Sequence, residues 1–207
     1  NGDRVFTYWR ENSAARKMVD DISMLTAAFR DADVIYLSGI TLAILSEDRR
    51  AALIDVLRQQ PTETQIAFDP NIRPALWEDQ QACKKALSEV AVITDVILPS
   101  FDDEAALFED RTPEETVMRY RDLGVAEIVV KNGKEPCTFL KDDHAACLET
   151  PPVSNVVDAT GAGDSFNAAF LAARFDGKET ADAIRHGQAL SGRVIHTHGA
   201  LLTREGI

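Results

Sequence analysis

Short apolar runs that each close on a proline or glycine, separated by helical stretches, constrain this chain more than anything else in it. "DADVIYLSG" (31–39), "TQIAFDP" (64–70), "TDVILPS" (94–100) and "AEIVVKNG" (126–133) are such runs. Their length and β-branched content mark buried strands. Between them lies "SEDRRAALIDVLRQQ" (46–60), with Ser46 as N-cap, Glu47 and Asp48 in the first turn, and Ala52, Leu53, Val56 and Leu57 at helical spacing. Helices are also predicted over 78–91, 102–108 and 112–124, the last opened by Thr112 and Pro113 and stopped by Gly124. "PCTFLKDD" (136–143) reads as a strand paired through a hairpin, "NVVDATGAG" (155–163) as a strand running into a turn, and 164–175 and 180–195 as the closing helices. Strands and helices alternating at these lengths imply right-handed crossovers, a mainly parallel sheet and an α/β fold. With no internal repeat or low-complexity linker, residues 1–207 read as one domain.

Composition excludes some classes of function. A net charge of −12, from 34 acidic and 22 basic residues, argues against general nucleic-acid binding, which needs a basic face, but does not exclude a small anionic ligand. With 45% hydrophobic and 27% charged residues the chain has the makings of a globular core. No apolar run approaches the ~18 residues of a membrane span. Cys83, Cys137 and Cys147 lack metal-ligand spacing and read as buried thiols of a reducing, cytoplasmic compartment. His196 and His198 have no third ligand nearby and read as structural or exposed.

In a parallel sheet, ligands sit beyond the carboxyl ends of the strands. Small, polar or charged residues stand there: "SG" at 38–39, "DPNIR" at 69–73, "PSFDDE" at 99–104, "KNG" at 131–133 and "DATGAGD" at 158–164. In the last, Gly161, Ala162 and Gly163 precede a helix whose first N–H groups lack internal partners, a natural cradle for phosphate or an oxyanion. Asp164 places a carboxylate at the same point. A carboxylate beside an anion hole makes sense as a proton acceptor for a hydroxyl attacking phosphorus. It makes equal sense as a helix-capping acid. The residues alone leave both readings open.

"VDATGAGDSFNAAF" closely resembles the carboxyl-terminal signature D-T-x-G/A-A-G-D of the ribokinase-like (PfkB) carbohydrate kinases. The resemblance implies a three-layer αβα sandwich, with Asp164 as catalytic base and Gly161, Ala162 and Gly163 as the anion hole. It implies ATP and Mg²⁺ as cofactors, and a monovalent cation as a further one. Asp158 matches the first aspartate of the signature, near the metal or monovalent-cation region, and Ala159 departs from the usual threonine. Glu104 resembles the acid of the family's N-x-x-E motif, which organises Mg²⁺ through water; Ser100 or Phe101 fills the asparagine place. Lys131 and Gly133 match the region that lines the nucleotide.

Other stretches resemble the 2-keto-3-deoxygluconate (KDG) kinases of that family: "FTYWRENSAAR" (6–16), "FDPNIRPALW" (68–77), "ILPSFDDEAALF" (97–108), "VVKNGKEPC" (129–137) and "VIHTHGALLTRE" (194–205). KDG is an acidic sugar, and an arginine offers its carboxylate a bidentate fork. Arg10 is expected to bind substrate, Arg73 to bind substrate or phosphate, and Tyr8 to pack on the sugar, with Trp9 as core or edge. The resemblance implies transfer of phosphate from ATP to the primary C6 hydroxyl of KDG. A fructokinase or other neutral-sugar kinase, and a binding module without catalysis, are the alternatives.

Family members begin with a segment carrying a G-G-x-x-x-N substrate motif, the first strands of the sheet and most of a small β lid. Nothing in 1–207 matches it, so the N-terminal strands and most of the lid are expected to be absent, with 1–10 as a return strand from the lid. Standing alone, such a chain is expected to be a weak or inactive kinase with an exposed sheet edge; as a piece of a longer protein it keeps the full kinase reading. The resemblance also implies a homo-oligomer, formed through the lid, for the full-length protein.

Overall fold

The computed structural model describes residues 13–202. Strands β1 (Val34–Ser38), β2 (Gln65–Asp69), β3 (Val96–Ile97), β4 (Glu127–Val130), β5 (Cys137–Lys141) and β6 (His144–Leu148) form one six-stranded sheet in the order β1-β2-β3-β4-β5-β6. The pairs β1/β2, β2/β3 and β3/β4 are parallel. Ser38 lies opposite Asp69, so the carboxyl ends of β1 and β2 are level. The helices are α1 (Ile22–Phe29), α2 (Gly39–Ala43), α3 (Glu47–Arg58), α4 (Gln80–Ala91), α5 (Phe101–Phe108), α6 (Pro113–Asp122), α7 (Ala162–Phe175) and α8 (Thr180–Val194), with 3₁₀ turns at Ala14–Lys17 and Pro74–Leu76.

The chain divides into two compact units. Among the described residues, one holds 13–130 and 139–146, the other Lys131–Thr138 and 147–202. The first unit owns the large apolar cluster. Leu42, Leu53, Ile54, Leu57, Phe68, Leu87, Ile97, Ile128 and Tyr120 are sealed in it. The helical periodicity of 46–60 works as expected: Leu53, Val56 and Leu57 face inward, with Ser46 at the cap of α3. Thr112 Oγ1 accepts from Glu115 N, capping α6 as its sequence predicts. Gly39 is required by proximity: a Cβ there would lie 1.8 Å from the Pro70 carbonyl oxygen. In the second unit α7 packs on α8. Gly187 allows it, since a Cβ there would meet the Phe166 ring at 2.8 Å.

The structure departs from the sequence reading in several places. Residues 155–159 form no strand. The N–H groups of Val157 and Asp158 both donate to Ile195 O instead of joining a ladder, and Val156 and Val157 stay exposed. Helix α7 starts at Ala162, two residues before the expected Asp164. Strand β6 went unread, because "HAACL" carries none of the bulky β-branched residues that mark a strand. It is joined to β5 by Asp142 and Asp143, both at positive φ (49° and 64°), the backbone of a two-residue hairpin turn. Cys83 and Cys137 are buried as expected, whereas Cys147 on β6 is exposed.

Candidate active site

The "DATGAGD" turn is built by Asp158 and Gly161. Asp158 is 1% exposed; its Oδ1 accepts from Thr160 N at 3.0 Å and its Oδ2 from Gly199 N at 2.8 Å. It thereby ties the turn to the segment after α8. Gly161 caps α7 with φ 78°, a left-handed conformation glycine adopts freely. A Cβ on Gly161 would lie 2.6 Å from the Ala200 Cβ, so glycine is needed twice over.

The donors at this helix start differ slightly from the expected trio. Ala162 N–H donates to Ala159 O at 3.2 Å and is spent inside the turn. The first regular helical bond is Ser165 N to Gly161 O, 2.9 Å. The N–H groups of Gly163 and Asp164 have no acceptor among the described residues. Two adjacent amides are thus left for an anion, at the positive end of a 14-residue helix.

The Asp164 side chain stands in that same first turn, exposed, with no hydrogen-bond or ion-pair partner among the described residues. Lys131 follows β4, and its Nζ would be 3.7 Å from a Cβ placed on Gly163. The ammonium is therefore held beside the two unpaired amides. Gly133 takes φ 57° in the turn between Lys131 and β5, where Glu135 N donates to Asn132 O.

A second polar group follows β2 in the other unit. Asp69 is 2% exposed and its Oδ1 accepts from Asn71 N. Arg73 is half-buried, donating through Nη1 to Ile72 O at 2.7 Å and to Asp103 Oδ2 at 3.4 Å. Asp103 Oδ2 also accepts from Ile72 N, so one carboxylate on α5 fixes both the loop and its arginine. Asp103 stands in the first turn of α5. A cavity of about 250 Å³ adjoins this loop, lined by Ile72, Pro74, Trp77, Cys83, Asp103 and Leu107 among others.

Glu104 and Asp158, expected near Mg²⁺ or a monovalent cation, are both buried with their carboxylates engaged inside the protein. Glu104 is 0% exposed. It accepts from Arg119 Nη2 at 2.7 Å, and both its oxygens take the Tyr120 hydroxyl at 3.0 Å. Burial pushes its carboxyl up to about 7, against the pull of Arg119 and Tyr120. For Arg119, burial works against the charge, but Asp110 and the field of Tyr120 and Glu104 outweigh it and hold the guanidinium above its usual range. Asp158 has each oxygen engaged by a backbone amide. No group of three or more His, Cys, Asp or Glu side chains suited to a metal occurs among the described residues. Tyr8 and Arg10 lie outside the described residues.

A mainly parallel α/β sheet with a glycine turn at a helix start, an acid in its first turn and a lysine beside it suits a protein that takes a phosphate-like anion. Comparison with known proteins narrows that class. The profile of the pfkB family carbohydrate kinases matches residues 1–205. A 2-dehydro-3-deoxygluconokinase of Haemophilus influenzae is 38% identical over all of this chain and 67% of its own length. One from Dickeya dadantii is 36% identical over all of this chain and 68% of its own. Among solved structures, a PfkB protein from Polaromonas sp. JS666 superposes with a TM-score of 0.76 at 28% identity, covering 92% of this chain. A ribokinase-type protein of E. coli, determined in complex with ATP and Mg²⁺, superposes with a TM-score of 0.79 at 27% identity, covering 96%. The chain spans 62% and 63% of those two solved chains and about two thirds of the curated relatives. The chain belongs to the pfkB family of carbohydrate kinases, with the ribokinase-like fold.

Proposed function

We propose that this chain carries the phosphoryl-transfer half of an ATP-dependent sugar-acid kinase, and that its substrate is 2-keto-3-deoxy-D-gluconate, converted to the 6-phosphate. The observation that carries the reading is the exposed Asp164 carboxylate beside the amides of Gly163 and Asp164, all without a partner among the described residues. Its chemistry is balanced. The C6 oxygen forms a bond to the γ-phosphorus of MgATP as the bond from that phosphorus to the β–γ bridging oxygen breaks. Asp164 takes the hydroxyl proton, and ADP leaves with the electron pair. The two amides and the Lys131 ammonium face the charge on the transferring group, where fixed donors need no reorganisation. Gly161 and Ala162 shape the turn that presents them, and Gly133 shapes the nucleotide-side loop after Lys131.

The substrate assignment rests on the names of the relatives just described and on arginine chemistry. Arg73, kept half-exposed by Asp103, is suited to a carboxylate or phosphate. Arg10 and Tyr8 are assigned to the sugar acid from the sequence. Among the described residues no helix is long and apolar enough to cross a membrane, and a cytoplasmic metabolic role, with oligomerisation in the whole protein, belongs to the same reading.

A coupled ADP-release assay with KDG, fructose and ribose, with and without Mg²⁺ and K⁺, tests it. Release dependent on KDG and Mg²⁺ is expected, with fructose and ribose near background. Turnover that prefers fructose or ribose overturns the sugar-acid assignment, and release with none of the three overturns the kinase reading for this chain. Any stimulation by K⁺ in the same assay reports the monovalent cation. Arg10→Ala is expected to raise the KM for KDG far more than that for ATP; equal effects on both remove Arg10 from the sugar site.

A further inference from the structure

Two carboxylates hold the loop that follows β2. Asp69 Oδ1 accepts from Asn71 N at 3.2 Å, with Asn71 at φ 36°, a left-handed backbone that the surroundings must hold. Asp103 Oδ2, in the first turn of α5, accepts from Ile72 N at 3.2 Å. The same Asp103 oxygen accepts from Arg73 Nη1 at 3.4 Å, and Ile72 O accepts from that Nη1 at 2.7 Å. A guanidinium Nη carries two hydrogens, so Nη1 is fully occupied inside the protein. Arg73 Nε and Nη2 have no partner among the described residues. These two nitrogens share one edge of the guanidinium, and that edge can grip a planar oxyanion with two parallel hydrogen bonds. The Arg73 side chain is 39% exposed, which leaves part of it open to a ligand. Asp103 is engaged further within the protein, so it serves as a held acceptor and not as a free charge. A loose arginine must be ordered when a ligand binds, at a cost in rotamer entropy. Asp103 and Ile72 O order this one beforehand.

We infer that Asp103 is a positioning residue of the sugar-acid site: it pins Arg73 Nη1, so that Arg73 meets the substrate carboxylate with its Nε and Nη2 edge. This rests on the sugar-acid reading for the identity of the ligand. Asp103 touches no substrate atom and acts through Arg73. The carboxylate of KDG is C1 and the accepting hydroxyl is on C6, so the contact strengthens binding and leaves the transfer step alone.

The test compares KDG with its methyl ester, which keeps the sugar chain and removes the carboxylate charge. The proteins are the parent, Asp103→Asn, which keeps an acceptor oxygen in place, Asp103→Ala, which removes it, and Arg73→Lys as reference. The KM and kcat for each sugar and the KM for ATP are measured. Independently of turnover, heteronuclear NMR follows the arginine Nε–H signals, that of Arg73 being identified by its loss in Arg73→Lys. In the parent, KDG is expected to shift the Arg73 signal while the ester leaves it in place. Asp103→Ala should lower the preference for acid over ester about 10-fold through the KM for KDG, with kcat and the KM for ATP within about threefold of the parent. Asp103→Asn should keep the preference within about threefold. An unchanged preference in Asp103→Ala, or an equal loss in Asp103→Asn, overturns the inference. So does a rise in the KM for ATP in place of that for KDG, which puts a phosphate on this edge. The ligand-free parent gives a check that needs no variant at 103: a pinned Nη1 predicts separate Nη1 and Nη2 signals for Arg73, and a single averaged signal overturns the inference. A parent whose Arg73 signal answers KDG in this Asp103-dependent way, yet which releases no ADP, keeps the inference and refutes the kinase reading. A parent that phosphorylates KDG with a preference indifferent to Asp103 does the reverse. A parent that neither binds nor phosphorylates KDG overturns both.

Discussion

Asp164 and Glu104 are both acids in the first turn of a helix, α7 and α5, and the sequence offers both as site residues. Their surroundings are opposite. Asp164 is exposed, with no partner among the described residues and with unpaired amides beside it. Glu104 is wholly buried, wrapped by Arg119 and Tyr120, and shares the Arg119 Nη2 with Asp110. An acid that must exchange a proton with a substrate needs an open face. One that ties α5 to α6 needs every lone pair filled, because an unpaired buried charge is costly. On the proposed reading the first helix start carries the chemistry, while the second ties α5 to α6.

Exchanging single atoms can break that division. The largest expected effect is at the open acid. Asp164→Asn should lower turnover by about 10²–10⁴-fold, the usual scale of a lost general base, and leave the unfolding midpoint where it was. Glu104→Ala should do the opposite, costing about 3 kcal/mol in urea unfolding by stranding part of the Arg119 charge, with turnover per folded molecule retained. Glu104 also gives a pH signature. Its folded value of about 7 stands above the unfolded 4.5, so the folded chain binds this proton more tightly. The stability it contributes is complete below about 4.5 and is lost as pH rises to about 7, on the order of 3 kcal/mol. Unfolding free energies between those pH values should fall in the parent and flatten in Glu104→Gln. The smallest effect is at the packing beneath the open acid. Gly187→Ala pushes a Cβ into the Phe166 ring and should cost about 1 kcal/mol, overpacking partly offset by the better helix propensity of alanine.

The parallel strands were legible because each ends at a residue whose backbone duty is specific, Gly39 under the Pro70 carbonyl being the clearest case. Helices with caps and inward stripes, α3 and α6, were legible for the same reason. Helix α1 had a readable cap that went unused, since Asp21 Oδ1 accepts from Met24 N. Helix α2 has five residues and too little period to read. The valines of 155–157 carry strong strand propensity, yet their segment bonds to Ile195 O, a tertiary choice no local pattern records. At the site, "DATGAGD" was legible as a turn and an acid. Which amides stay unpaired, and the bond from Lys131 to Asn167 across 36 residues, depend on how α7 is seated. That Glu104 is wholly buried between Arg119 and Tyr120 is likewise not carried by sequence spacing.

The central claim is that Asp164 takes the proton, and one measurement meets it most directly: the turnover of Asp164→Asn at saturating KDG and MgATP, on protein shown by calorimetry to bind ATP as the parent does. The account predicts a fall of about 10²–10⁴-fold with nucleotide affinity unchanged. Turnover within a few-fold of the parent would contradict it and return Asp164 to the role of a helix-capping acid.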